Sequence, residues 1–512
     1  MRLSLSALTP KFLLLLLTLP ELSSAASSIL GIDLGQEYFK AALVKPGIPL
    51  EIVLTKDSRR KEASAIAFKP SRHSSPDDST TRFTHPDRIY GVDAANLAAR
   101  FPQNVYPNLK QLLGKHILGD EATEYSARYP ALELMPSDGR PTSSFKSTAA
   151  PPEEGGNQQF TIEELLAMEL KNIQRNALAL AAEKGKAGVI EDVVFSIPAY
   201  FTAEEKYSLQ LAAELVGLKV MAMVSDGVAI GINYATGRDF KPEDKPETHI
   251  IYDMGAGSTT ATVVKFAGKS VKDIGRFKKD ITEVAVLGVA WDEGLGGDLF
   301  NKKLSEHLLN DFLDTPKGKK IEAEGKANVR DMVRLNGRTA AKLWREATKV
   351  RHILSANSEA YASVESLYED VDYKGTKITR QQFEGYLEGY SDRVTKPIHQ
   401  ALESAGLTLE NIDTVIFHGG GVRVPYVSKL LEELVGEGKI SRTVNSDEAA
   451  VMGATFRGAA LSTSFRVKEI AVHDINPYPV AVTYKQDGSS KGIPPPPYPT
   501  LNFLCIKTAN HP

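Results

Sequence analysis

Two stretches of the chain decide its fold: ILGIDLG over residues 29–35 and IIYDMGAGS over residues 250–258. Each is an apolar run, typical of a buried strand, that ends at an aspartate followed by a glycine turn. Glycine lets the backbone approach a phosphate closely, so that its N–H groups converge on the anion. An aspartate beside such a turn, here Asp33 or Asp253, can hold a hydrated Mg²⁺. The repeat indicates two similar lobes that close on a nucleotide.

A third glycine turn follows another apolar run, in VIFHGGG over residues 415–421. Each turn is a weak signal by itself, because glycine more often only caps a helix or turns the chain. The combination is stronger, since tight connections alone do not explain an aspartate at the same place in two of the motifs. His418, before the third turn, is interpreted as a core or turn histidine rather than a metal ligand.

Composition and charge narrow the function classes. The 512 residues are 42% hydrophobic and 24% charged with a net charge of −3, so no affinity for nucleic acid is expected. A single cysteine, Cys505, excludes an intrachain disulfide. Residues 1–26 combine basic residues, an apolar run and a small-residue end, which predicts a secretory signal peptide. That run is too short to span a bilayer, so no membrane span is expected after cleavage.

The rest of the chain alternates strand patterns with helix patterns twice, which predicts an α/β fold. We place the two lobes at about 28–217 and 218–465, with a polar insertion near 136–159 that is predicted to be disordered. A capping box predicts that a helix begins after Thr161. Residues 466–474 are expected to form an extended linker, and the proline-rich segment 486–512 a disordered or aberrant tail.

Two further positions could serve a nucleotide, although neither is specific by itself. Lys110 could supply a cation to a phosphoryl group in transfer. On the predicted helix 340–355, Arg351 could stack on a base while Ser355 hydrogen-bonds it. Ser196 and Ser225 have no neighbouring His–Asp arrangement, so a hydrolase triad has no support.

Several segments resemble the nucleotide-binding domain of the seventy-kilodalton heat-shock chaperones, within the actin and sugar-kinase superfamily. The resemblance covers about residues 28–474 and is most specific to the large endoplasmic-reticulum branch, the glucose-regulated, hypoxia-up-regulated chaperones and their fungal counterparts. The segments that carry it are VKPGIPLEIVL (44–54), DSRRK (57–61), LWREA (343–347), ILSAN (353–357) and DVDY (370–373). The resemblance implies a two-lobed actin-like ATPase domain, which is a duplicated ribonuclease-H-like fold.

The resemblance also implies roles for individual residues. The implied catalytic residues are Lys110, Asp226 and Asp253. Asp33 and Asp253 would organise Mg²⁺ through its waters. The implied nucleotide-binding residues are Asp33, Gly35, Gln36, Tyr38, Gly255, Ala256, Gly257, Ser258, Arg351, Ser355, Gly419, Gly420 and Arg423. Pro198 would belong to the interlobe switch, and the linker 466–474 would report the nucleotide state to a substrate-binding β domain, of which only the start, 475–485, is expected here.

The chain departs from the family pattern around the phosphates. Gln36 and Glu37 stand where ATP-cycling members have two threonines, and a carboxylate there would repel phosphate unless it turns away. Asp226 stands in place of a glutamate, and Ser258 in place of a threonine. Ala256 replaces a loop glycine, so that turn must avoid the left-handed region. These departures favour nucleotide binding with weak or slow ATP hydrolysis.

The implied cofactors are ATP or ADP with Mg²⁺, and the implied location is the lumen of the endoplasmic reticulum. The resemblance implies an exchange-factor role toward the lumenal seventy-kilodalton chaperone, and contacts with unfolded polypeptides that a truncated peptide-binding domain would weaken. The last four residues are not a retention signal. Two alternatives stay open at this point: a small-molecule kinase of the same superfamily, which would need a general-base aspartate, and an inert truncated fragment.

Overall fold

The computed structural model describes residues 28–69, 86–147, 149, 158–186, 188–273, 277–324, 328–478, 483–486 and 489–492. The predicted signal peptide and most of the predicted tail therefore lie outside the described residues.

The described strands are β1 (Ile29–Leu34), β2 (Tyr38–Lys45), β3 (Ile48–Ile52), β4 (Glu62–Ala63), β5 (Ala65–Lys69), β6 (Asp87–Tyr90), β7 (Val105–Pro107), β8 (Leu134–Pro136), β9 (Ser143–Lys146), β10 (Gln159–Thr161), β11 (Asp192–Ile197), β12 (Lys219–Ser225), β13 (Glu247–Met254), β14 (Ser258–Lys272), β15 (Lys278–Glu293), β16 (Glu359–Tyr368), β17 (Val371–Thr379), β18 (Thr414–His418), β19 (Ile440–Ser441), β20 (Ile470–His473), β21 (Thr483–Gln486) and β22 (Ser489–Gly492). The described α-helices are α1 (Gly91–Leu97), α2 (Asp120–Arg128), α3 (Ile162–Glu183), α4 (Ala203–Glu214), α5 (Asp226–Thr236), α6 (Gly297–Asp314), α7 (Pro316–Glu324), α8 (Val329–Arg334), α9 (Gly337–Ala356), α10 (Arg380–Gly385), α11 (Ser391–Ala405), α12 (Pro425–Val435) and α13 (Ala449–Leu461).

Two sheets of the same topology form the centres of the two lobes. The first has the order β12-β11-β1-β2-β3, in which β1 pairs parallel to β11 and antiparallel to β2. The second has the order β19-β18-β13-β14-β15-β20, in which β13 pairs parallel to β18 and antiparallel to β14. The strands that carry Asp33 and Asp253 thus occupy equivalent places. The predicted α/β fold with two similar actin-like lobes is confirmed.

Two helices cross at the junction between the lobes. Helix α5 follows the last strand of the first sheet but packs on β13, β14 and β15 of the second, while α13 packs back on β1, β2 and β11. The crossing is close, because a Cβ added to Gly453 would lie 1.8 Å from the carbonyl oxygen of Ala229. The two helices and the inner faces of both sheets share one apolar core, which includes Ile29, Val194 and Ile251.

The lobe boundary predicted at 217/218 is too early. Strand β12 pairs in parallel with β11, with Val193 opposite Val220, so the first lobe continues to Ser225. The predicted boundary falls just after helix α4. The strand that follows this helix, β12, completes the first sheet and does not start the second.

The insertion predicted to be disordered over 136–159 is folded wherever the structure describes it. Strands β8, β9 and β10 form a small sheet. The side chain of Phe145 is fully buried, with ring centroids 5.0 Å from Tyr106 and 5.7 Å from Tyr125. This aromatic anchor buries a large apolar area, and an ion pair between Arg140 and Glu163 of α3 adds a polar attachment to the first lobe. The capping box predicted at Thr161 is present, with the Glu164 N–H donating to Thr161 Oγ1.

Regular structure continues past the end of the second lobe. Strand β20 pairs in parallel with β15, so part of the segment 466–474 lies along the edge of the second sheet. The segment 486–512 was predicted to be disordered or aberrant, but β22 lies within it and pairs with β21, which precedes it, in a hairpin. The sequence Asp487-Gly488 between the two strands is a strong hairpin signal that explains this pairing. Among the described helices, none is long and apolar enough to cross a membrane.

The close crossing of α5 and α13 is testable by substitution. Gly453→Ala should lower the free energy of unfolding by at least about 2 kcal/mol, because the added methyl group meets backbone that cannot move aside cheaply. Gly385→Ala, at a site where an added Cβ meets nothing within 4 Å, is the matched control and should change stability by less than about 1 kcal/mol. Equal denaturation midpoints for the two variants would contradict the crossing.

Candidate functional site

The three predicted catalytic side chains meet in the cleft between the lobes. Asp33 and Asp253 lie near the ends of β1 and β13, and Asp226 is the first residue of α5. Lys110 is buried, donates from Nζ to the carbonyl oxygen of Leu34 at 2.6 Å, and interacts electrostatically with all three carboxylates. Asp226 Oδ1 accepts from Ser196 Oγ at 2.6 Å. The fold therefore concentrates three acids and a lysine at one place.

Burial sets the protonation of this group. Burial raises the pKa of Asp226 to about 6, against the opposing effects of Lys110 and of the Ser196 hydrogen bond. Burial also lowers the pKa of Lys110, against the attraction of Asp226, Asp33 and Asp253. An acid and a base whose pKa values move toward neutrality are typical of a functional site.

Sequence reasoning missed two basic residues that touch the aspartates. Lys40 Nζ lies 2.7 Å from Asp33 Oδ2, and His418 Nδ1 lies 3.0 Å from Asp253 Oδ1. His418 is buried, as predicted, but it faces the site instead of serving only the core. Burial opposes the ionisation of Asp253, yet His418, Lys40 and Lys110 together hold its pKa below the ordinary range. The tight β1–β2 hairpin was a signal for Lys40, since strand pairing across it places residues 33 and 40 opposite each other.

The second glycine turn is fastened to the start of helix α6. The N–H of Gly255 donates to Ser258 O at 2.9 Å, and the N–H of Asp298 donates to Ala256 O at 2.8 Å. Ala256 is not among the described residues with positive φ, in agreement with the expectation that this turn avoids the left-handed region. Gly257 has no room for a side chain, because an added Cβ would lie 1.9 Å from Gln36 Oε1. The first and second turns are therefore in direct contact.

The third turn closes over the second. Gly419 has φ of 80°, and a Cβ added there would lie 2.2 Å from Met254 O. A Cβ added to the neighbouring Gly420 would have no described atom within 4 Å. This turn therefore leaves backbone accessible at Gly420 while it packs tightly at Gly419. The three turns predicted from the sequence converge on one place.

Two of the residues that depart from the family pattern, Gln36 and Glu37, contact residues other than Asp33, Asp226 and Asp253. Gln36 Nε2 donates to Asp298 Oδ2 at 2.6 Å. Glu37 Oε2 lies 3.9 Å from an Arg351 Nη2, and burial raises the pKa of Glu37 against the effect of that arginine. The carboxylate of Glu37 thus turns toward Arg351, which is the arrangement that avoids repulsion of phosphate. Next to it, burial and Glu37 raise the pKa of Tyr38 to about 12, and Lys61 Nζ lies 4.7 Å from the Tyr38 ring centroid.

The predicted base-binding residue Arg351 lies beside the start of helix α6, because a Cβ added to Gly297 would lie 3.1 Å from Arg351 Nη1. Arg351 is buried and donates from Nε to Asn301 Oδ1 at 2.8 Å, while Ser355 Oγ donates to the carbonyl oxygen of Arg351 at 2.9 Å. The Ser355 hydroxyl hydrogen is therefore used by the backbone of helix α9 in this structure. Asn301 Nδ2 is buried and lacks a hydrogen-bond partner among the described residues, so it is a donor that a base could use. Arg423 donates from Nη2 to Ser446 Oγ at 2.8 Å and to Asp447 Oδ2 at 2.7 Å.

His352 is a further cleft residue that the sequence did not single out. It is exposed, unlike its buried neighbour Arg351. Partial desolvation of its ring, together with the nearby cations Arg351, Lys61 and Arg423, lowers its pKa to about 4. A neutral imidazole close to Arg423 and Arg351 offers a flat face for a base, and its place next to Arg351 in the sequence was the signal that could have identified it.

Four side chains join the lobes across the mouth of the cleft, and we call Gln36, Arg128, Asp298 and Trp344 the interlobe clasp. Arg128 Nη1 donates to Asp298 Oδ2 at 2.7 Å, and the Arg128 guanidinium carbon lies 3.7 Å from the Trp344 ring centroid. A planar guanidinium that both stacks and bonds a carboxylate makes a specific contact in a dry site. The clasp holds the lobes together beside the glycine turns.

Pro198 begins a turn that contacts Lys110 on one side and Tyr478, which follows β20, on the other. The Phe201 N–H donates to Pro198 O at 3.1 Å, and Lys110 Nζ lies 5.5 Å from the Phe201 ring centroid. The Tyr478 hydroxyl donates to Tyr200 O. The turn thus connects Lys110 with the segment that follows β20.

The raised pKa of Asp226 gives a pH prediction. The carboxyl ionises near 3.8 when unfolded and near 6 when folded, so between these values the folded chain binds more protons and stability falls as pH rises. The wild type should lose about 1 kcal/mol relative to Asp226→Asn between pH 5 and pH 7.5, since the loss builds up as the pH rises from 5 through the folded pKa near 6 and is complete above it. Urea denaturation of both proteins measures it. Parallel pH profiles would contradict the assignment.

Comparison with known proteins identifies the family. The profile described as Hsp70 protein matches residues 29–495. The chain is 40% identical over 455 residues to the heat shock protein 70 homolog lhs1 of Schizosaccharomyces pombe, covering 89% of this chain and 49% of that protein. It is 36% identical over 476 residues to the hypoxia up-regulated protein 1 of Danio rerio, covering 93% and 44% respectively. The human protein of that name is 34% identical over 460 residues, covering 90% and 42%.

The chain spans about half the length or less of these three relatives. Their names agree with the resemblance to hypoxia-up-regulated chaperones and their fungal counterparts, which is confirmed. The match of the Hsp70 profile extends from β1 into the segment after β20, and so includes both glycine-turn lobes. This chain belongs to the Hsp70 family.

Proposed function

We propose that the cleft between the lobes binds ATP or ADP, and that bound nucleotide controls the closure of the lobes. The observation that carries this proposal is the convergence of three glycine turns from two lobes on Lys110, Asp33, Asp226 and Asp253. Turns with accessible backbone N–H groups and a nearby lysine suit phosphates. Arg351, which contacts both Asn301 and His352, suits a base.

The donor set at the phosphate end fits a hydrated Mg²⁺. Carboxylates are the side chains that Mg²⁺ prefers, and Asp33 and Asp253 would hold it through its waters. No three His, Cys, Asp or Glu side chains of the described part of the chain are grouped so that they could hold a metal ion directly. When bound, the ion would neutralise charge on the terminal phosphates.

Hydrolysis in this cleft is expected to be weak or slow. Gln36 is engaged with Asp298 rather than with the phosphate side, and Asp226 is shared between Ser196 and Lys110. A general base must reach the water it activates. An aspartate here reaches less far than the glutamate of ATP-cycling relatives, so the site favours binding as a conformational signal over rapid turnover.

We further propose that the chain works in the lumen of the endoplasmic reticulum as a chaperone component. The similarity to hypoxia up-regulated protein 1 and the predicted signal peptide support this location. In that branch the resemblance implies nucleotide exchange on the lumenal seventy-kilodalton chaperone. The interlobe clasp supports such a role, because lobes held by direct side-chain contacts present a stable surface to a partner. Binding of unfolded polypeptides is a weaker expectation.

The alternatives give different results. A small-molecule kinase would phosphorylate a sugar or polyol in the presence of ATP. An inert fragment would show no stabilisation by nucleotide, since a ligand that binds only the folded state raises the denaturation midpoint.

Nucleotide binding is the first test. Calorimetry with ADP and Mg²⁺ should detect binding by the wild type, and Asp253→Ala or Lys110→Met should weaken it about tenfold or more, since each removes a charge from the buried site. Asp244→Ala is the control, because Asp244 lies on an exposed loop away from the cleft and should leave the affinity unchanged. Failure of the wild type to bind ADP or ATP would refute the proposed cleft.

The exchange role has its own measurement. The ATP-loaded chain should accelerate release of a fluorescent ADP from the lumenal Hsp70 chaperone, and Arg128→Met should reduce the acceleration because it breaks the clasp. Arg330→Met serves as the control, since Arg330 is exposed and contacts Asn310 within its own lobe. The same release rate with and without the chain would exclude the role while leaving nucleotide binding intact.

A further inference from the structure

Each aspartate that ends a central strand has a basic residue as its strand partner. Asp33 is paired in register with Lys40 across the antiparallel β1–β2 ladder. Asp253 is paired in register with His418 across the parallel β13–β18 ladder. The equivalent places in the other lobe are not basic, since Asp33 also pairs with Ser196 and Asp253 with Thr260. In the first lobe the basic partner of the aspartate comes from the antiparallel neighbour strand, β2, and in the second lobe it comes from the parallel neighbour strand, β18.

The contact between Lys40 and Asp33 is fixed by the backbone. Side chains directly opposite each other in an antiparallel pair have Cβ atoms about 4.5–5.5 Å apart, on the same face of the sheet. Both strands lie inside the first sheet, with β11 on one side and β3 on the other. The Lys40 and Asp33 side chains are 14% and 10% exposed, and their charged atoms are 2.7 Å apart. The strand register thus places Lys40 beside Asp33 on the same face of the sheet.

The lysines balance the carboxylates of the site. Lys40 interacts electrostatically with Asp33, Asp253 and Asp447, and Lys110 with Asp226, Asp33 and Asp253. Three carboxylates without such partners would repel the phosphates of a nucleotide, and a divalent cation would have to screen them. Here two ammonium groups already lie among the acids, and His418 adds a polar ring against Asp253.

We infer that Lys40 is a built-in counter-ion of the nucleotide site, so that this chain binds ADP with only a weak requirement for divalent metal. The inference rests on the proposed function, because it concerns the same cleft. It assigns Lys40 a binding role toward the nucleotide phosphates and the acids that face them. A purely structural role, in which Lys40 only stabilises the strand pair, would change stability but not the metal dependence of binding.

The experiment is calorimetry with ADP on the full chain, in excess Mg²⁺ and in excess EDTA. The wild-type dissociation constant should rise less than about tenfold in EDTA. In Lys40→Met the ratio of the two constants should rise to about a hundredfold, because one ammonium among the acids is lost. Lys40→Arg keeps the charge and should behave as the wild type. Lys45→Met is the matched control, since Lys45 lies five residues along the same strand and therefore on the opposite face of the sheet.

A hundredfold ratio in the wild type overturns the inference, and so does an equal ratio in wild type and Lys40→Met. If Lys40→Met does not fold, the wild-type ratio and the Lys40→Arg ratio still decide the matter. Absence of ADP binding under both conditions refutes the proposed function and the inference together. Tight binding that requires Mg²⁺ refutes the inference alone.

Discussion

The structure depends on the electrostatic balance of a buried cluster in which three aspartates and two lysines meet between the lobes. Isolated charges are very costly to bury, so each must be paired or hydrogen-bonded. Lys40 forms an ion pair with Asp33 at 2.7 Å. Asp226 accepts a hydrogen bond from Ser196 and is attracted electrostatically by Lys110. The cluster can form only when β1, β12 and β13 come together at the crossing of α5 and α13. The charged cluster of the cleft therefore depends on the packing of the apolar core beneath it.

The same arrangement explains why the departures from the family pattern are compatible with a nucleotide site. Gln36 does not face the phosphates; it packs on Gly257 and bonds Asp298, so it joins the lobes. Glu37 turns to Arg351. Gln36 and Glu37 stand where ATP-cycling members of the family have threonines, and here both contact side chains of the second lobe. These contacts fit the proposed function, in which the protein responds to nucleotide more than it consumes it.

The sequence predicted the elements whose signals are local. An apolar run that ends in aspartate and glycine identified β1 and β13, and the Thr161 capping box identified the start of α3. The role expected of Asp226 came only from the resemblance, and Lys110 was an unspecific candidate until the resemblance was added, since neither stands in a specific local pattern. His418 and Arg128 were beyond reach, because their contacts join strands or helices far apart in the chain. The prediction of disorder over 136–159 was wrong around Phe145, because the polar composition of the segment does not reveal that this ring is fully buried.

The central claim is that three separate turns form one nucleotide site. Hydrogen–deuterium exchange of the chain with and without ADP tests it most directly, because exchange reports protection of each backbone segment separately. The account predicts that ADP protects residues 33–38, 254–258 and 418–423 together, while the hairpin of β16 and β17 is unaffected. Protection of none of the three turns, or of one turn alone, would contradict it.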